Sequence, residues 1–164
     1  MQRLISENLK DVLVAQWAHE SYNSHLYLRF ISFLKSKGLD NLSEIFKHQY
    51  DEEKEHAEMI FNFLMDMNED FIPPVVESIK ENISSFSDMA GAFLAREILT
   101  TQSLAEIRDM TMVEECVIAE EFIRKMIYLQ QAEYSEATMF LDKVSGFGED
   151  QRFMSLWDSS FEME

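Results

Sequence analysis

The chain has 164 residues, of which 46% are hydrophobic, and a formal net charge of −17. This length and apolar content predict one compact domain over residues 1–164. The acidic balance argues against nucleic acid as a partner, because phosphate binding depends on Lys and Arg, and it suits cations. The N-terminal MQRLISENLKD lacks a signal-type apolar run, and no stretch approaches the roughly 20 apolar residues of a membrane span. With a single Cys116 and hence no internal disulfide, we expect a cytoplasmic protein without a membrane partner.

Apolar residues recur at spacings of three and four along most of the chain, which predicts helices at about 7–36, 40–67, 87–113 and 118–145. Gly38 followed by Asp40 predicts a helix stop and the next N-cap, so the first two helices should form an antiparallel hairpin.

The stretch from about 68 to 86 contains both prolines and is long for a loop in a compact domain. It can carry the chain back along the bundle, so that helices two and three point the same way. The join between helices three and four, near TMVEECVIAEE, carries no Gly or Pro to mark it. GFGED then ends the fourth helix, and a short amphipathic fifth helix is predicted at about 149–161. The fold class is therefore all-α: an antiparallel four-helix bundle with one long crossover and a short C-terminal helix.

Each long helix contains a row of residues, stepping alternately by four and three, that is apolar at its ends and polar near its middle. Helices of similar length packed side by side match centre to centre, so these polar groups should converge on one layer inside the bundle. They are Gln16, Glu20 and Asn23; Gln49, Glu53 and His56; Glu97 and Thr100; Gln130 and Glu133.

Buried carboxylates in one layer are costly, because they lose hydration and repel each other. Protonation with internal hydrogen bonds could compensate, and so could a multivalent cation. Glu53 and His56, at i and i+3, share a helical face and can address one metal. Carboxylates with a single imidazole suit iron or manganese, and the lack of thiolates disfavours structural zinc.

The motifs ESYNSHLYL at 20–28, DEEKEH at 51–56, Glu97 in AREILTT, and Gln130 resemble the ferroxidase-centre motifs of ferritins, especially bacterial non-haem ferritins. The resemblance covers nearly the whole chain. It implies that Glu20, Glu53 and His56 hold one iron, and that Glu53 bridges to a second iron held also by Glu97. Gln130 would lie beside the pair, and Tyr27 would hydrogen-bond the site.

The resemblance also implies an activity and an assembly. Two iron(II) ions per subunit would be oxidised by dioxygen or peroxide, and the iron(III) would be stored as a ferric oxide mineral inside a homo-oligomeric cage of 24 subunits. The chain would thus be a ferroxidase, an oxidoreductase acting on metal ions.

Some positions depart from the bacterial pattern. Leu129 and Ala132 stand where further glutamates for a third iron site are usual, so only Glu52 and Glu133 remain of that group and the third site is in question. Lys125 replaces an aromatic residue of the fourth helix. Lys54 stands where bacterioferritin has its haem-binding Met, and a second E-x-x-H is missing, so haem is not expected.

Interpretations without metal binding remain beside this one. His56 could be a core histidine satisfied by Glu52 or Glu53, and His19, His25 and His48, which lie off the rows, are expected at the surface or an interface. Two further functions stay open: a di-iron peroxidase of the rubrerythrin kind, and a non-catalytic scaffold bundle whose buried polar layer fixes helix register.

Overall fold

The structure is a computed structural model that describes residues 3–161. Within that range the chain forms five helices and no strand: α1 (Glu7–Ser36), α2 (Asp40–Asp66), α3 (Phe86–Val113), α4 (Val117–Phe147) and α5 (Gln151–Ser160). The four long helices form the predicted bundle, with α5 as the short C-terminal helix. Among the described residues, no helix is both long and apolar enough to cross a membrane.

The helix ends follow local chemistry in some places and distant residues in others. Gly38 has φ +73°, the left-handed conformation that a glycine accepts after a helix. The prediction that Asp40 is the N-cap of α2 is wrong, because Asp40 is the first residue of the helix. Leu39 occupies the N-cap position and has no capping side chain. The missing cap is supplied by Asp158 of α5, whose Oδ1 accepts a hydrogen bond from the Leu42 amide at 2.7 Å.

The turn between α3 and α4, residues 114–116, is made without Gly or Pro. Glu115 adopts a φ of +54° there, a conformation that costs a residue with a Cβ some strain. The boundary between the two helices is therefore not marked by a turn-forming residue.

The crossover, residues 67–85, runs along α1 and is fixed to it by side-chain contacts. The rings of Trp17 and Phe71 meet edge to face at 5.3 Å, and Arg29 Nη2 donates to the carbonyl of Ile83 at 2.8 Å. Crossover residues between 74 and 81 also line a groove together with Arg96 of α3, so the crossover lies along α1 close to its contact with α3.

Two apolar clusters fill the bundle, one toward each end. The cluster near α5 is rich in aromatic residues, whereas the other is mostly aliphatic. The middle residues of the four rows lie between the clusters. The apolar ends of the rows bury most of the area that stabilises the bundle. Because the polar middle of each row lies on the same helix face as these ends, it is buried with them.

Candidate metal centre

The polar middle of each row is buried, as its position between apolar ends requires. Side chains from all four long helices contribute: Glu20, Glu53, Glu97 and Tyr27 have 0% exposure, Gln130 has 2%, Glu133 has 3% and His56 has 7%. The centres of the helices thus form one polar layer across the core.

Two groups of ligand-type atoms form within this layer. In the first, one ligand atom each of Glu20, Glu53 and His56 lie within 4.8 Å of one another. In the second, one oxygen each of Glu53, Glu97 and Glu133 do so. Glu53 belongs to both groups, which is the arrangement expected of a carboxylate shared by two neighbouring cations.

The contacts of the histidine agree with a binding role better than with a core role. His56 Nδ1 lies 4.0 Å from Glu53 Oε2 and 3.7 Å from Glu133 Oε2, both beyond a good hydrogen bond. The interpretation without metal binding, a histidine satisfied by Glu52 or Glu53, therefore lacks the short contact it needs.

Glu97 is held by hydrogen-bond donors. The Tyr27 hydroxyl donates to its Oε1, and Gln130 Nε2 donates to its Oε2 at 2.6 Å. These donors orient the carboxylate and work against the effect of burial, which still raises the pKa of Glu97 to about 7. Glu20 likewise accepts a hydrogen bond from Gln16 Nε2, at 2.9 Å, on one oxygen.

Glu53 and Glu133 differ, because no N–H or hydroxyl donor in the described part of the chain bonds to their oxygens. Glu53 instead interacts with the carboxyl group of Glu20. Burial, followed by the nearby carboxylates, raises the pKa of Glu53 well above its ordinary value and that of Glu133 to about 10. The second oxygen of Glu20 is unpartnered as well. A buried carboxylate without donors is costly in its charged form, so it either keeps its proton or binds a cation.

The two residues left over from the questioned third site fall in different places. Glu133 joins Glu53 and Glu97, whereas Glu52 belongs to neither ligand group and lies 3.1 Å from His48 Nε2 through its Oε1. The comparison of motifs did not predict that Glu133 lies beside Glu53 and Glu97. The position of Glu133 on the α4 row, at the depth of Gln130, does predict that it lies in the polar layer.

The layer opens toward the face formed by α2 and α4. A groove of about 530 Å³ lies there, lined in part by Glu52, Glu55, His56, Glu133 and Glu136. The groove therefore brings His56 and Glu133 of the layer next to the surface.

His19 was expected, with His25 and His48, at the surface or an interface. It is half-buried between α1 and α3, where its Nε2 lies 2.6 Å from Thr100 Oγ1. His48 and His25 are exposed, as expected. No feature of the one-dimensional pattern distinguishes His19 from these two, because its partners come from a helix some 80 residues further along.

Carboxylates and an imidazole directed into the core by facing helices are the ligand arrangement from which four-helix bundles can build metal sites. Residues 10–147 match the family model described as "Ferritin-like domain". The chain therefore belongs to the ferritin family.

Known relatives agree with this membership. A "probable bacterial non-heme ferritin-like protein" of Haemophilus influenzae is 24% identical over 155 residues, covering 94% of each chain. A "bacterial non-heme ferritin" of Staphylococcus epidermidis is 21% identical over 155 residues, 94% of this chain and 93% of the relative.

Solved structures give the same result for the fold. An open pore ferritin from the archaeon Archaeoglobus fulgidus superposes with a TM-score of 0.90 at 26% identity, covering 98% of this chain and 99% of the other. A humanized archaeal ferritin has a TM-score of 0.90 at 24% identity, covering 98% and 97%. The bundle, the crossover and the short final helix are thus features of ferritins.

Proposed function

We propose that this chain is the subunit of an iron-storage ferritin and that its polar layer is a ferroxidase centre, which oxidises iron(II) to iron(III). The observation that carries the proposal is the unpartnered state of buried Glu53 and Glu133 among residues 3–161. Two divalent cations would offset the charges of the four carboxylates in the layer and would use the free nitrogen of His56 as well.

The side chains take distinct roles toward the iron, which is the substrate. Glu20, Glu53 and His56 hold one iron(II), and Glu53 and Glu97 hold the second. Because Glu133 lies within reach of both Glu53 and Glu97, we assign it to the second iron and not to a third site with Glu52.

Tyr27 and Gln130 act through Glu97. Each donates a hydrogen bond to one of its two oxygens, so they orient the carboxylate and leave its remaining lone pairs for the cation. Gln130 is thereby assigned to positioning, and direct contact with iron is not required of it.

The oxidant accepts two electrons from the iron. Two iron(II) ions each lose one, and dioxygen with two protons becomes hydrogen peroxide, or peroxide with two protons becomes two water molecules. Anionic oxygen ligands stabilise iron(III) over iron(II), so the carboxylates favour this oxidation. Burial keeps Glu133 protonated at neutral pH in the metal-free protein. Binding of iron releases this proton, which is then available within the layer to the reduced oxidant.

Storage requires a shell, and the relatives support one. A cage of 24 subunits of 19.3 kDa each would have a mass of roughly 460 kDa. Light scattering on the purified protein measures this directly, and a monomer or dimer would remove the cage from the proposal.

Two other functions explain fewer observations. A rubrerythrin-like peroxidase would use a second E-x-x-H on the fourth helix and cysteine pairs, whereas this chain has Gln130 followed by Glu133 and a single Cys116. A non-catalytic scaffold would be expected to satisfy its buried polar groups internally, which Glu53 and Glu133 do not do.

Stopped-flow absorbance after mixing the metal-free protein with iron(II) in air tests the ferroxidase. The parent should show a fast phase that consumes close to two iron ions per subunit, followed by slower mineral growth. His56→Ala and Glu53→Ala remove direct ligands, so they should slow the fast phase by at least the roughly 10–100-fold that loss of an outer-shell partner costs, with the helical circular dichroism spectrum retained.

Glu52→Gln is the matched control, because Glu52 is the neighbour of Glu53 but lies outside both ligand groups. It should oxidise iron like the parent. Oxidation by the parent no faster than in buffer would support the scaffold, and unaltered rates in both alanine variants would place the centre elsewhere.

A further inference from the structure

Four polar residues where α1 meets α3 have no role in the proposed chemistry. We call His19, Asn23, Arg96 and Thr100 the α1–α3 cluster. Asn23 and Thr100 are fully buried, while His19 and Arg96 are partly so. The α1 members lie one residue before and three after Glu20, and the α3 members lie one before and three after Glu97.

Hydrogen bonds close the cluster across the two helices. Thr100 Oγ1 donates to the Arg96 carbonyl at 3.0 Å and accepts from Asn23 Nδ2 at 3.1 Å. With the hydroxyl proton used in this way, the 2.6 Å contact between Thr100 and His19 Nε2 requires the histidine to donate.

This tautomer leaves His19 Nδ1 free to accept, and Arg96 Nη2 lies 3.1 Å from it. Arg96 Nε donates to Asn23 Oδ1 at 2.8 Å, and its guanidinium stacks over the Tyr22 ring at 4.6 Å. The cluster is therefore a rigid polar connection between α1 and α3, with each side chain bonded across the gap.

The connection joins two larger units. The α1 helix packs mainly on α2, and α3 mainly on α4, while the contact between α1 and α3 is much smaller. The bundle thus consists of an α1–α2 hairpin and an α3–α4 hairpin, and polar bonds at the α1–α3 contact help to fix how far apart they stand.

The two ligand groups depend differently on that separation. Glu20, Glu53 and His56 all belong to the α1–α2 hairpin, so the first group is complete within one unit. The second group takes Glu53 from one hairpin and Glu97 and Glu133 from the other. A shift of one hairpin against the other changes the second group and leaves the first intact.

We propose that the α1–α3 cluster positions the second metal site, by holding the α3–α4 hairpin where Glu97 and Glu133 can share a cation with Glu53. This inference rests on the proposed metal centre. It assigns His19, Asn23, Arg96 and Thr100 as positioning residues that touch neither metal nor oxidant.

The test is a titration of the metal-free protein with cobalt(II), followed by visible absorption and calorimetry. Thr100→Val keeps the size of the side chain but removes the acceptor of both Asn23 and His19. The first cobalt ion should bind as in the parent, and the second should bind about tenfold more weakly. Thr100→Ser restores the hydroxyl and should restore the second site.

Thr111→Val is the matched control on the same helix. Thr111 is also fully buried, and its hydroxyl donates to the Arg108 carbonyl of its own helix at 2.6 Å. This variant should bind both cobalt ions like the parent. Arg96→Lys, on the partly exposed side of the cluster, is the second test variant, and it should lose affinity at the second site alone even if Thr100→Val does not fold.

The outcomes separate this inference from the function beneath it. A parent that binds no cobalt overturns the metal centre, and the inference falls with it. A parent that binds two ions, with Thr100→Val and Arg96→Lys binding both equally well, overturns the inference alone. Equal weakening of both sites would also overturn it, since that would show a general loss of structure.

Discussion

Both sides of the polar layer contain buried polar side chains, but only one side satisfies them with hydrogen bonds from other residues. On the side of α1 and α3, Asn23, Thr100 and His19 are bonded to one another and to Arg96. Toward α2 and α4, no N–H or hydroxyl donor among the described residues bonds to the oxygens of Glu53 and Glu133. Polarity alone therefore does not mark a binding site in this bundle. What distinguishes the two sides is whether the buried groups are already satisfied.

Cation binding should have the largest effect on the stability of the folded protein, because the cation binds only to the unsatisfied side of the layer. At a cobalt(II) concentration of 1,000 times Kd, one site stabilises the folded protein by about 4 kcal/mol. Thermal denaturation of the parent should show this rise, and Glu53→Gln, which removes the shared ligand, should show almost none. Glu52→Gln should behave like the parent, and an equal rise in all three proteins would mean that cobalt binds elsewhere.

The stability of the metal-free protein should depend on pH through the same carboxyls. Burial raises the pKa of Glu97 to about 7 and that of Glu133 to about 10, so the folded state keeps protons that the unfolded state releases above the ordinary carboxyl pKa. Stability should therefore fall as pH rises, by up to about 1.4 kcal/mol per pH unit for each such group. The fall due to Glu97 ends near pH 7, and that due to Glu133 continues toward pH 10.

Urea denaturation between pH 5 and pH 9 measures this slope. Glu133→Gln cannot take up the proton, so its stability should fall less steeply than that of the parent. Parallel curves for the two proteins would contradict the raised pKa of Glu133.

Removing a donor from the satisfied part of the layer should destabilise the protein. Tyr27→Phe deprives Glu97 of the hydrogen bond from the buried hydroxyl, which should lower the free energy of unfolding by about 1–3 kcal/mol in the metal-free protein. Urea denaturation at constant pH checks this value. Tyr128, which is 77% exposed, provides the control, since Tyr128→Phe should change stability by less than about 0.5 kcal/mol.

A satisfied polar group far from the layer should give the smallest effect. Asp158→Ala removes the cap of α2 and should cost about 1 kcal/mol of stability, with cobalt stoichiometry unchanged. Ser159→Ala, at the exposed neighbouring position, should be neutral in the same denaturation assay. A loss of cobalt binding in Asp158→Ala would show that the helix end and the layer are coupled.

Much of this fold follows from periodicity in the sequence. Rows with apolar ends and polar middles predicted the four helices and the layer, because a helix must bury its apolar face and helices of equal length pack in register. Gly38 predicted the first turn for a similarly local reason, its freedom at positive φ.

The misses concern residues whose partners lie far away in the chain. Nothing near Asp40 indicates that Asp158 would cap α2, and nothing near His19 indicates its bonds to Thr100 and Arg96. The turn at Glu115 has no Gly or Pro to mark it, because a residue with a Cβ adopts the conformation usually taken by glycine. The metal-ligand roles of Glu20, Glu53, His56 and Glu97, and the place of Gln130 beside them, remain predictions, which the titrations above address.

The C-terminal segment has a consequence for how the protein can be engineered. Asp158 caps the start of α2, and a second acidic residue of the same segment caps α3. Glu149 accepts hydrogen bonds from the amides of Phe86 and Ser87 at the start of α3, at 3.0 and 2.9 Å. Proteolysis before Glu149, or a shortened version that ends there, would remove the N-terminal caps of two helices at once. These are the helices that carry Glu53 and Glu97. Fusions intended to preserve iron chemistry should therefore keep both acidic residues and be joined beyond them.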